Sequence, residues 1–356
     1  MDCRIDLDKS WFTAKEKVIV SGGEFTASTF TYSTGIEAVR LKNSRGEIVM
    51  LPYQGQHIWN IEFDGRSPRM YNLFDEPRPA NVVVDTYGAF MYHCGALRMG
   101  NPGPEDDHPL HGELTCAKYD KAAIVIGEDQ EGPYLGLTGT FNYKKGFGDF
   151  YDATPRVLLR AGKAVLDLSM KVENVGNYPM DLMYMMHINF LIGDDARIVQ
   201  TSGWSTDDMI LRTSIPSHVK TTPEFLAFMD RLKADPKTTE VLRKEDVYNP
   251  EIVFFLRNMK PGKDGKARVL QVHTDGTADC VAYDPKVLDK HVRWILKNKN
   301  QSVIGILPAT AEPEGYTAEK KKGNVRTLGA GESVQFNIRA GVLSKAEAAE
   351  AVKQIG

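Results

Sequence analysis

His187 and Asn189 stand two residues apart in the run MDLMYMMHINF at 180–190. Read as a strand, the run points His187 and Asn189 to one face together with Asp181, Met183 and Met185. Leu182, Tyr184, Met186, Ile188 and Phe190 then form an apolar core face. An imidazole beside a same-face amide is a candidate general acid or base, because its charge changes near neutral pH. A second histidine, His111, closes the word HPLHGE at 108–113 and is followed directly by Gly112. Glycine there permits an unusual backbone angle or the close approach of a ligand.

Positioning these side chains falls to strands. Short alternating runs separated by Gly, Asn and Ser fill residues 18–65, at hairpin spacing. Within them, QHIWNIEFDG places His57 and Trp59 on one face and Ile58 on the other, so His57 and Trp59 are candidates for substrate contact. Leu166, Leu168, Met170 and Val172 alternate with polar residues as in a half-buried antiparallel strand. The spacing of Phe225, Leu226, Met229 and Leu232 predicts a helix starting at Thr222 or Pro223, within an insert at about 222–244 that reads as a dispensable addition to the β-core. Residues 308–328 read as a long polar loop. Ser344 and Glu347 form a capping box that opens a short C-terminal helix at 344–354. The pattern is all-β: one large antiparallel β-sandwich domain over 1–356 with small helical insertions.

The chain has 356 residues, 42% hydrophobic and 26% charged, with a formal net charge of -3. That is an ordinary globular composition. It carries no basic footprint for nucleic acid or an anionic membrane, and no apolar run is long enough to span a bilayer. The start, MDCRIDLDKSWF, lacks a signal pattern, which points to a cytoplasmic protein or one whose leader has been removed. Cys3, Cys94, Cys116 and Cys280 form no CxxC pair and read as reduced structural thiols.

Three words in order, HPLHGE at 108–113, MMHINF at 185–190, and LPATAEPEG at 307–315 with GES at 331–333, resemble the aldose 1-epimerase (galactose mutarotase-like) superfamily, in a divergent branch. The resemblance spans roughly residues 20 to 343. It implies a β-supersandwich and an isomerase that acts on a monosaccharide or modified sugar without a cofactor or metal. It assigns the acid toward the ring oxygen to His187, a sugar contact near the anomeric hydroxyl to His111, and a hydroxyl contact to Arg98. Asn189 joins the substrate-binding set as the same-face neighbour of His187. The family's general base is a late-strand Glu. Leu307 stands at that position here, so Glu312 becomes the expected base, with Glu314 and Glu251 as further acidic candidates near the sugar. Two alternatives share the scaffold. One is different epimerase, lyase or hydrolase chemistry, with His111, His187 and a Glu holding a divalent metal. The other is a carbohydrate-binding protein without catalysis.

Overall fold

A computed structural model of the chain describes residues 2–215 and 220–355. Two large sheets pack face to face, and all strand pairs among the described residues are antiparallel. The first has ten strands, running from Cys3–Asp6 at one edge through Val165–Asn174 and Ser333–Leu343 at its centre to Val241–Leu242 at the other. The second has twelve. Its order across the middle is Ile252–Leu256, Lys290–Lys297, Ser302–Ala309, Met180–Phe190, Met91–Ala96 and Ile58–Phe63, and Arg326–Leu328 pairs off this path with Met180–Phe190.

The predicted alternation of the central strand is realised. Leu182, Tyr184, Met186, Ile188 and Phe190 join the core between the sheets, with Leu166, Leu168, Met170, Phe336 and Ile338 of the facing sheet. Met183 and Met185 enter a second apolar cluster on the opposite face, with Trp59, Tyr92, Val253, Val292 and Leu307. The strand is therefore buried on both faces, because loops and neighbouring side chains cover the face turned away from the sandwich core.

Two expectations are corrected. The stretch 222–244 holds the helix Pro223–Ala234, capped by Thr222 Oγ1, which accepts from the Phe225 N–H at 3.2 Å. Its Phe225, Phe228, Met229 and Leu232 belong to the main core, which speaks against a dispensable addition. These positions follow the i, i+3, i+4, i+7 spacing of an amphipathic helix, whereas Leu226, counted with the apolar stripe, lies exposed. The expected loop at 308–328 contains the helix Tyr316–Lys322 and the strand Arg326–Leu328. Gly323, in the left-handed conformation, ends that helix by donating its N–H to Lys320 O, and lysines fill its last turn, where the helix dipole favours cations. The capping box at Ser344 and Glu347 forms as expected: the Ser344 N–H donates to Glu347 Oε2 at 2.9 Å.

Because Phe228 is 1% exposed in the core, Phe228→Ala is expected to cost about 3–5 kcal/mol in unfolding free energy by urea titration. A loss below about 1 kcal/mol would restore the reading of the helix as a detachable insert.

Candidate active site

On the face of the twelve-stranded sheet away from the sandwich core lies a cavity of about 480 Å³, within the usual range for a small ligand. Its lining includes Tyr87, Asn101, His111, His187, Arg212, Glu251, Trp294 and Gln301, with an apolar wall of residues such as Leu110, Val253, Val292 and Leu307. A groove of about 610 Å³ on the ten-stranded sheet is larger, but its charged groups are largely consumed in pairs such as Asp167–Arg339 and Asp264–Arg268. The smaller cavity is the one that gathers histidines and a carboxylate.

His187 projects into it from the central strand, 3% exposed. Its Nδ1 lies 2.7 Å from Asn189 Oδ1 and its Nε2 3.1 Å from the Tyr87 hydroxyl. Asn189 Nδ2 donates to Ala89 O at 3.1 Å, which fixes the amide so that Oδ1 faces the imidazole. The proton of neutral His187 therefore resides on Nδ1, and Nε2 accepts from Tyr87 O–H. Asn189 thus orients the histidine and is not itself in the cavity lining. Burial pulls the His187 pKa down to about 4 against the opposing Asn189 bond. Both ring nitrogens are engaged, so a metal at this histidine would have to displace Tyr87.

His111 approaches from the loop, its ring 5.2 Å from that of His187. Its backbone has φ of +62°, and its N–H and carbonyl bond to Gly100 O and Gly95 N–H at 2.9 and 3.0 Å. Gly112 is required on two counts: φ is +85°, and a Cβ would sit 1.9 Å from Arg98 O. Glu113 pins the loop from behind. Its Oε1 accepts from the Ala96 and Leu97 N–H groups and from Tyr151 Oη, at 3.0, 2.8 and 2.8 Å. Burial first, then the charges of His187 and His108, holds His111 well below the usual histidine range.

Glu251 supplies the carboxylate. One oxygen accepts from Arg212 and the other from Trp294 Nε1 at 2.7 Å. Glu312, expected as the base, does not line the cavity. It is 1% exposed and clamped by Arg257 Nε and Nη2 at 2.6 and 2.9 Å and by Lys322 Nζ at 2.7 Å. Glu314 shares that lysine at 2.6 Å and Glu319 at 2.7 Å, so an ammonium already occupies this group of carboxylates. The physical reason is the helix Tyr316–Lys322, which the loop reading omitted and which carries Lys322 back onto the segment. What that segment gives the cavity is Pro313, tied to the Asn101 N–H through its carbonyl at 3.0 Å.

The remaining candidates also lie outside the lining. Arg98 stacks 3.6 Å from the Tyr316 ring centroid and donates to Leu97 O. His57 is fully buried against Thr115 O, and Trp59 packs under Arg69. These three build the support of the site. Tyr87, Arg212 and Trp294 were missed by sequence reasoning. Trp294 had a legible signal in the strand run HVRWILK, where it shares a face with Val292; Tyr87 and Arg212 sit outside the long alternating strands.

Residues 33–342 match the family described as a domain of unknown function (DUF4432). No curated protein matches this chain. Among solved structures, a presumed aldose 1-epimerase from Klebsiella pneumoniae superposes with a TM-score of 0.78 at 16% identity, over 99% of this chain and 94% of that one. A galactose mutarotase-like protein from Clostridium acetobutylicum gives 0.57 at 12% identity, over 92% and 98%. A galactose mutarotase related enzyme from Lactobacillus acidophilus gives 0.57 at 12%, over 86% and 98%. At these identities the likeness is one of fold: the mutarotase-like β-sandwich.

The buried histidines make stability pH-dependent. Burial lowers His187 and His57 to about 4 and His93 to about 3. An unfolded histidine titrates near 6.5, so between about pH 6.5 and 4 the unfolded chain binds protons that the native one refuses. Stability is full above that window and falls as pH drops through it, by about 3 kcal/mol for His187 alone. Urea titrations at several pH values should show this, with His187→Gln reducing the slope by about one proton; an unchanged slope would mean that His187 titrates normally.

Proposed function

The chain belongs to the DUF4432 family, and we propose that it is a sugar isomerase of the aldose 1-epimerase type, acting on a monosaccharide or modified sugar. The observation carrying this reading is the meeting of His111, His187 and the oriented carboxylate of Glu251 in one cavity. Opening a cyclic hemiacetal needs a base for the anomeric hydroxyl proton and an acid for the ring oxygen, with roles exchanged on closure at the other face. Glu251 is the base, its lone pairs aimed by Arg212 and Trp294. His187 is the acid: once protonated at Nε2, it delivers that proton to the ring oxygen beside Tyr87. His111 and Asn101 contact hydroxyls, and Trp294 and the aliphatic wall cover the carbon face of the ring. No cofactor enters this sequence of proton transfers.

Glu251→Gln is therefore expected to lower anomeric exchange, followed by saturation-transfer NMR across a panel of aldoses and uronic acids, by about 10² to 10⁴. Glu312→Gln should change exchange less than about threefold while costing about 1–2 kcal/mol of stability, because its cationic partners are partly solvated. The reverse order of effects would return the base role to Glu312. A wild-type protein that binds sugars in the panel without exchanging them would favour a binding role.

Since His187 is held near 4, its acidic form is scarce at neutral pH. In the folded range, kcat/KM should rise about tenfold for each unit that pH falls from 7 toward 5, after subtraction of the spontaneous rate. A flat profile would remove His187 from the acid role.

A further inference from the structure

The strand Lys290–Lys297 alternates like the others: Val292 and Trp294 face the cavity, and His291, Arg293 and Ile295 face the core between the sheets. A fully buried arginine in that core is unusual. Arg293 is 0% exposed, and its Nη2 donates to Gln200 Oε1 at 2.7 Å. Its Nε and Nη1 have no hydrogen-bond partner among the described residues.

His291, also 0% exposed, adds a third donor. The Tyr283 hydroxyl lies 3.0 Å from His291 Nδ1 and has no other acceptor among the described residues, so its proton goes to Nδ1. The imidazole proton then resides on Nε2, which is likewise unpartnered. His291 and Arg293 project from the same strand face, close enough for the guanidinium charge to disfavour a second charge on the imidazole.

What compensates the guanidinium charge is weak. Among the described residues Tyr283 is the one ionisable neighbour that favours it, and the Trp204 ring lies 5.9 Å away, near the outer limit for a cation–π contact. Burial lowers the Arg293 pKa only to about 10, so the group remains charged at neutral pH. An unpaired ion in a protein interior is costly, and three buried donor nitrogens without an acceptor compound that cost.

We propose that Arg293 Nε and Nη1 and His291 Nε2 form an internal binding site for a small monovalent anion of halide size, chloride in the first instance. A single negative charge neutralises the guanidinium, and a spherical acceptor takes N–H donors from any direction. Enclosure by both sheets means that the ion is taken up as the sandwich closes. It stabilises the fold and has no direct part in the chemistry on the other face of the strand.

Two measurements on the intact protein test this. Crystals grown in bromide should show an anomalous peak within hydrogen-bond reach of Arg293 Nε or Nη1. Thermal unfolding in sodium chloride against sodium gluconate of equal ionic strength should show Tm rising with chloride, by about 2 °C per tenfold increase above the dissociation constant. Arg293→Met, which keeps the volume and removes the charge, should abolish that chloride dependence. Should this variant fail to fold, the two wild-type measurements still decide. Absence of the bromide peak would overturn the proposal. So would a Tm equal in chloride and gluconate, which would make any peak an adventitious ion.

Discussion

Burying the strand Met180–Phe190 on both faces is the constraint from which the site follows. A strand that packs one face between sheets and has the other largely covered leaves few water partners for its polar groups, so they draw on protein partners. His187 meets that requirement with Asn189 on one nitrogen and Tyr87 on the other. Asn189 is in turn fixed by the Ala89 carbonyl. The same burial that demands these bonds also keeps the imidazole neutral. Orientation, tautomer and a lowered proton affinity are thus three results of one packing decision.

Around this strand, the loops are tied down by hydrogen bonds and ion pairs. The His111 loop holds a left-handed backbone because Gly112 lets the chain touch Arg98 O and because Glu113 collects three donors beneath it. The segment after Ala309 is held differently, by ions: Lys322 binds Glu312, Glu314 and Glu319, and Arg257 grips Glu312 with two bonds. Charge pairs of this kind, with Glu312 and Glu319 buried and their cations partly solvated, are weak sources of stability but hold geometry, since a buried carboxylate is costly to leave unpaired. The two loops meet where Asn101 and Pro313 bond, at the wall of the cavity.

The sheet architecture was legible because period-two alternation survives wherever one face meets a core: the runs around 166–173, 182–190 and 334–340 sit in the structure as read. His111 and His187 were legible as a pair through the words that contain them. Less could be read where the outcome depended on partners distant in sequence. Glu312 looks like a free loop acid until Arg257 is brought against it, and Arg98 looks like a sugar contact until Tyr316 lies under it. Tyr87 comes from the end of a short 3-10 turn with no periodic pattern to announce it. The helix at 222–244 was seen, but its fate was not. An apolar stripe shows that a helix is buried on one side, not whether its partner is the main core or a local cluster.

The location of the Glu251 carboxylate bears on the proposed replacement of a base at Leu307. The strand carrying Leu307 pairs with Lys290–Lys297, which pairs in turn with Ile252–Leu256. Glu251, immediately before that outer strand, therefore enters the cavity from two strands away, on the side where Trp294 projects from the strand between. That distance would leave a lone flexible carboxylate poorly aimed. Arg212 on one oxygen and the Trp294 indole N–H on the other remove this freedom, and an acid held by two donors in fixed directions presents its remaining lone pairs along fixed lines. Leu307, freed of a polar role, extends the apolar wall with Val292 and Val253. In the proposed mechanism, a base displaced along the sheet approaches the sugar at a different angle from one on the Leu307 strand. On the proposed reading, a sugar would sit rotated in the cavity so that its anomeric hydroxyl meets Glu251 while its ring oxygen stays beside His187. On that reading the orientation of a bound ring is set by the sheet's strand order as much as by the two histidines.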